Sequence, residues 1–274
     1  VLIANYNTWV ANLDLEVEVF KSGQAVGRFM ANLIEQGLNK ARSEKRNFVL
    51  GCPSGRTPRS TLIALKQTVR ENQVDLSNLV VVMMDDYVTK LPTGQYENVS
   101  IDYHFSCRKW ATWELRDALN STLPATRQIK SENVRCPDGS APAQYELWID
   151  QLGGIDLFLL ASGASDGHVA FNGPGEPRSS LTRIVTLAET TRIDNLGTFP
   201  EFREISEVPR YGVSVGIATI ADKSKSAVML LLGPAKRQAF SIISRAKVYD
   251  TAWPASIIAE CSNALVIADQ AAAS

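Results

Sequence analysis

The chain has no excess of charge of either sign. Its 28 Lys and Arg stand against 29 Asp and Glu, for a net charge of −1. Nucleic acid and anionic membrane surfaces select for basic proteins, so neither is expected as the main partner. Long apolar runs are also missing: no stretch approaches the ~18 consecutive apolar residues that mark a membrane span. Cysteine is scarce. The four present, Cys52, Cys107, Cys136 and Cys261, form no CxxC pair and none stands beside a histidine at metal-ligand spacing. They read as reduced thiols, packed as small apolar side chains, in a cytoplasmic protein. The first residues, 1–5, lack a basic segment followed by an apolar stretch and a cleavage site, so no secretory signal is read there. There are only two histidines, so each can be weighed individually.

What is present is material for a core. Apolar residues make up 45% of 274 positions, enough for one α/β domain covering residues 1–274. Residues 21–44 carry apolar side chains at helical spacing, among them Val26, Phe29, Met30, Leu33, Ile34 and Leu38. Short apolar runs at 47–51, 79–84, 155–161, 227–232 and 264–268 predict buried strands. Helices are expected from about Pro58 to Glu71, over 101–119 and 141–152, and after Gly233. The tail, 271–274, reads as frayed. No linker or internal repeat divides the chain. Buried strands alternating with amphipathic helices predict an α/β fold: a single-domain, three-layer, mostly parallel, Rossmann-like sheet with helices on both faces. Ligands of such sheets bind beyond the carboxyl ends of the strands.

Four segments at those ends hold residues suited to chemistry. The loop Gly51-Cys52-Pro53-Ser54-Gly55-Arg56-Thr57-Pro58 joins a strand to a helix. Its glycines and hydroxyls suit an anion held by backbone N–H groups at a helix start. An ordinary turn capped by Ser54 or Thr57 fits equally well, and the Walker ending is absent. Asp85-Asp86-Tyr87 follows the second strand. Two adjacent carboxylates are not expected to point into the core together. Either one faces a pocket as a general base, or the pair is a solvated acidic turn. Asp166 and His168 flank a glycine in a Gly-rich segment, where both can reach one substrate and the imidazole suits proton transfer. In sequence no third ligand stands near them, so no metal is expected. His104 lies in the 101–119 pattern and reads as structural. Lys236, just after a buried strand, suits a phosphate as a point charge and suits a solvated loop as well.

Taken in order, these segments resemble the glucosamine-6-phosphate isomerase/deaminase family, whose superfamily includes the 6-phosphogluconolactonases. Residues 51–58 resemble its G-x-P-T-G-x-T-P loop and Met84-Asp85-Asp86-Tyr87-Val88 its M-D-E-Y-V. Residues 166–172 resemble D-G-H-I-A-F-N, residues 208–216 resemble V-P-x-Y-A-L-T-V-G, and residues 233–236 resemble G-x-x-K. The likeness runs from about residue 20 to residue 268. The D-G-H-x-A-F-N form points to the deaminase branch, since lactonases usually read D-G-H-T-A-S.

The resemblance implies a cofactor-independent aldose–ketose isomerase or deaminase acting on glucosamine 6-phosphate or a related sugar phosphate. Asp85 matches the base that moves a proton between C2 and C1. Asp166 and His168 match the groups that assist ring opening. Ser54, Gly55, Arg56 and Thr57 match the phosphate cradle, and Lys236 matches its lysine. Asp86 is an accessory candidate. Neither a metal nor an organic cofactor is implied, and relatives that range from monomers to hexamers leave a homo-oligomer open. Two positions depart from the family. Gly173 replaces the glutamate of its Asp-His-Glu relay, with Glu176 three residues on as a candidate substitute. Gly197 replaces a phosphate-binding arginine, for which Arg56 is a candidate substitute. A lactonase-type hydrolase, and a sugar-phosphate-binding protein with an impaired relay, are the alternatives.

Overall fold

A computed structural model describes residues 15–274. The reading of residues 1–5 as free of a secretory signal, and the place of residues 1–14 in the domain, lie outside the described residues. In chain order the strands are β1 Glu16–Phe20, β2 Phe48–Cys52, β3 Leu79–Met83, β4 Asp85–Lys90, β5 Tyr96–Asn98, β6 Val134–Arg135, β7 Leu157–Ala161, β8 Arg183–Thr186, β9 Tyr211–Ser214, β10 Ala227–Leu231 and β11 Ala264–Asp269. The α-helices are α1 Gly23–Ser43, α2 Arg59–Asn72, α3 Cys107–Trp110, α4 Ala118–Asn120, α5 Pro142–Gln151, α6 Glu189–Thr198, α7 Ile217–Asp222, α8 Arg237–Ile243 and α9 Gln270–Ala273.

Successive strand residues face opposite sides of a sheet, and in the central strands both sides are apolar. In β3, Leu79, Val81 and Met83 join one core cluster while Val80 and Val82 join another. The first cluster is covered by α1, α2 and the chain around Trp110–Leu119, the second by α5, α7 and α8. Strands apolar on both sides need helices on both sides, and a parallel sheet is the result. Its order is β1-β11-β10-β7-β2-β3-β6, with every neighbouring pair parallel. The five apolar runs read from the sequence are β2, β3, β7, β10 and β11. Among the described residues, no helix is long and apolar enough to cross a membrane.

A second sheet has no counterpart in the apolar runs. It is antiparallel, in the order β5-β4-β9-β8. Its strands are short and mix polar with apolar residues, as in Tyr96-Glu97-Asn98, so the run-based signal is missing. Of the two readings of residues 85–87, the solvated acidic turn is not what forms. The chain leaves β3 through Met84 and enters β4 directly, with Asp85 opposite Ser214 and Asp86 opposite Val213. Two further expectations change. Residues 101–106 are turns, and the helix begins only where the Ser106 hydroxyl accepts from the Lys109 N–H. It then widens into a π-helical stretch, Ala111–Asp117, before α4. The tail is not frayed: Asp269 Oδ1 accepts from the Ala272 N–H at 3.0 Å, and Ala272 is buried.

Candidate active site

A cavity of about 330 Å³ lies beyond the carboxyl ends of β2, β7 and β10. The parallel sheet supplies three loops to it: residues 53–57 after β2, residues 161–164 with His168 after β7, and Lys236 after β10. From the other side, β4 contributes Asp85 and α6 contributes Asp194 and Asn195. Of the residues singled out in sequence, Ser54, Gly55, Arg56, Thr57, Asp85, His168 and Lys236 all line this one cavity.

In the loop after β2, Gly55 holds φ +84°, a left-handed conformation that glycine adopts without strain. No side chain caps α2, so the alternative of a turn capped by Ser54 or Thr57 is not what forms. Lys236 reaches the same space. Its Nζ donates to the Ser162 carbonyl at 2.6 Å, and burial lowers its pKa, with the neighbouring Arg56 adding to that and Asp194 opposing it. The guanidinium of Arg56 lies beside Gly197: a Cβ built there would sit 3.9 Å from Nη2.

Asp166 and His168 form a bonded pair. Nδ1 of His168 is 2.7 Å from Asp166 Oδ1, and the His168 N–H donates to the same oxygen at 3.1 Å. The Thr190 and Thr191 hydroxyls donate to Oδ2 at 2.5 and 3.2 Å. Burial opposes ionisation of Asp166, but the bond to His168 and these donors outweigh it and hold the carboxyl well below its ordinary range. Gly163 makes room for the pair: a Cβ there would lie 2.3 Å from His168 Nδ1. With Nδ1 engaged, Nε2 is left to the cavity.

Asp85 and Asp86 are both buried, at 7% and 0% exposure, against the expectation that two adjacent carboxylates would not go inward together. Strand alternation separates them. Asp86 turns away from the cavity and is satisfied by Tyr87 N–H, Cys107 N–H, Asn98 Nδ2 and Arg108 Nε, at 2.9–3.0 Å. Asp85 faces the cavity, where its one recorded side-chain partner is the Cys107 thiol at 3.4 Å. Burial raises Asp85 to about 7; the Cys107 thiol and His168 pull it down and Asp86 pushes it up.

Glu176 is not brought to this site. It pairs with Arg183 at 2.5 Å, and Arg183 also donates to Asn172 Oδ1 at 2.9 Å. The residue that does approach the pair is Asp194, which had not been singled out in sequence. One ligand atom each from Asp166, His168 and Asp194 lies within 4.8 Å of the others. In sequence no third ligand stood near His168; folding of α6 supplies one, and the set has the ligand types to hold a divalent cation. Cys107 was likewise missed as a pocket residue. His104 packs against Phe105, Phe199 and Phe202 and does not itself line the cavity. Arg192, in the stretch that precedes Gly197, donates to the carbonyls of Ile205 and Val208 and ties down the segment after α6.

An anion-suited loop, a lysine and a His–carboxylate pair at the strand ends of a parallel sheet, faced by a buried carboxylate with raised pKa, have the make-up of an α/β enzyme site. Known proteins agree. The family model for glucosamine-6-phosphate isomerases/6-phosphogluconolactonase matches residues 21–267, and the chain belongs to that family. A glucosamine-6-phosphate isomerase of Candida albicans is 32% identical over 261 residues, covering 93% of this chain and 96% of its own. A glucosamine-6-phosphate deaminase of Shouchella clausii is 36% identical over 233 residues, covering 83% and 85%. A solved structure of a monomeric glucosamine-6-phosphate deaminase superposes with a TM-score of 0.77 at 26% identity, covering 94% and 99%. A 6-phosphogluconolactonase from Thermotoga maritima shares the fold at a TM-score of 0.60 and 18% identity, covering 93% and 99%.

Proposed function

We propose that this chain, working as one domain, is a cofactor-independent aldose–ketose isomerase and deaminase. Its substrate is glucosamine 6-phosphate or a closely related amino-sugar phosphate. The observation that carries the reading is Asp85: a carboxylate buried in the same cavity as the His168–Asp166 pair and poised by burial at about 7. A base must be largely ionised yet basic near neutral pH, and a pKa in that region serves both needs. The phosphate rests on residues 54–57 and Lys236. His168, steered by Asp166, moves the proton that opens the sugar ring. Asp85 takes the C2 proton of the open chain and returns it to C1. Water then adds to the resulting imine carbon, and ammonia leaves with fructose 6-phosphate as the other product.

The two departures from the family have substitutes. Arg56, whose guanidinium lies against Gly197, supplies the cation that position lacks. Asp194 gives His168 the second carboxylate lost at Gly173, and Glu176, engaged by Arg183, is not needed for it. These substitutes favour a working relay over a binding protein that has lost it. A lactone hydrolase has no use for a C2 base, so the burial of Asp85 favours isomerisation over hydrolysis.

Incubation with glucosamine 6-phosphate should release ammonia and fructose 6-phosphate in equal amounts. Hydrolysis of 6-phosphogluconolactone with no ammonia and no exchange at C2 would replace this reading with the lactonase. Tight binding of the sugar phosphate without any turnover would replace it with the binding protein.

A further inference from the structure

Cys107 is a buried thiol that lines the cavity and has no part in this chemistry. It opens α3 and is 2% exposed. Its backbone N–H donates to Asp86 Oδ1 at 2.9 Å, which fixes the residue against β4. Its Sγ lies 3.4 Å from Asp85 Oδ1 and 3.3 Å from Ser54 Oγ. The thiol therefore stands between the loop after β2 and the carboxylate on β4, the two parts of the site that come from different sheets.

The direction of these bonds follows from a count of protons. Burial first, and then the Asp85 and Asp86 carboxylates, push the thiol well above its ordinary value, so Cys107 keeps its proton. An ionised Asp85 has none to give, so the S–H donates to it. The sulfur is then left with lone pairs only, and the Ser54 hydroxyl can donate to them. The result is a chain, Ser54 O–H to Cys107 S–H to Asp85 Oδ1, in which each donation strengthens the next.

We propose that Cys107 is a positioning residue that couples phosphate binding to the basicity of Asp85. When a phosphate oxygen accepts the Ser54 hydroxyl, the sulfur loses that donor and the S–H becomes a weaker donor to Asp85. The carboxylate, less stabilised, becomes a stronger base when substrate is in place. This rests on the reading of residues 54–57 as the phosphate cradle and of Asp85 as the base. The other titratable groups around the chain are Asp86 and Tyr87 on β4, Cys136 behind the thiol, Arg108 on α3 and His168 across the cavity.

The S–H stretching band isolates this contact, because the difference between the unsubstituted protein and Cys107→Ser reports one thiol among four. Saturating inorganic phosphate should move that band toward a weaker hydrogen bond, and in Ser54→Ala phosphate should leave it in place. In Cys107→Ala the acid limb of kcat/KM should move to higher pH, with a loss of about threefold at pH 6 and little at pH 8.5, and Cys107→Ser should restore it. The coupling is overturned if phosphate binds, as calorimetry would register, and the band does not move. It is equally overturned if Cys107→Ala leaves the acid limb unchanged. Failure of phosphate to bind at all would instead overturn the cradle itself, and the coupling with it.

Discussion

The two sheets of this molecule each hold one acidic side chain of the site, and they treat it oppositely. Asp166 follows β7 of the parallel sheet and is paired with His168 and two threonine hydroxyls, which hold it ionised. Asp85 begins β4 of the antiparallel sheet, has the Cys107 thiol as its recorded partner, and is pushed to about 7. The residue type is the same and the surroundings are opposite: Asp166 is held as a charge beside the imidazole of His168, while Asp85, on the cavity wall, is left with a pKa near neutral pH. On the proposed reading, the parallel sheet would grip and open the substrate and the antiparallel sheet would bring in the base.

The largest expected effect breaks this comparison at the base. Asp85→Asn should lower turnover of glucosamine 6-phosphate by about 10³-fold or more, measured as ammonia release. The same substitution should stabilise the fold. A carboxyl whose folded pKa is raised contributes stability below the unfolded value of about 4, and that contribution is lost as pH rises through about 7. At pH 8 the buried charge is therefore a liability of up to about 4 kcal/mol that asparagine removes, and at pH 4 denaturation should show little difference. Asp166→Asn should do the reverse. Its lowered pKa gives stability that is present above the unfolded value and fades as pH falls, so the variant should be destabilised at pH 7 and nearly neutral at low pH. Its kcat should drop by about 10²-fold, because His168 loses its orienting partner.

Smaller effects sharpen the division of labour. Arg56→Ala should raise KM about tenfold with kcat nearly kept, and should leave affinity for the unphosphorylated sugar unchanged. Asp194→Asn separates two roles. As a second carboxylate for His168 it should, when removed, lower kcat about fivefold and shift the pH profile of kcat. If it merely repels an anionic substrate, its removal would lower KM and leave the profile alone.

The parallel sheet was legible because its strands are apolar on both sides: β2, β3, β7, β10 and β11 announce themselves as runs. The antiparallel sheet was not, because its strands hide polar residues such as Asp86 and Ser214 in pairing positions where partners satisfy them. The edge strands β1 and β6 escaped for a related reason, β6 having only two residues. In the site, the motif loops located Ser54, Asp85, His168 and Lys236 in one cavity. The missing pieces, Asp194 and Cys107, come from helices whose approach to the cavity depends on tertiary packing. Asp194 lies three residues before Gly197, the position read as lacking the family's arginine, and only folding brings its carboxylate near His168. Glu176 was the nearer candidate along the chain, but Arg183 captures it.

As proposed, Asp85 exchanges a proton with the substrate carbon. The direct measurement is incorporation of deuterium from solvent into C2 of glucosamine 6-phosphate and C1 of the fructose 6-phosphate formed, followed by NMR in the unsubstituted protein and in Asp85→Asn. Exchange in the first, dependent on a group titrating near 7, and none in the second is the predicted result. Equal exchange in both proteins, or none in either while the substrate is bound, would contradict it.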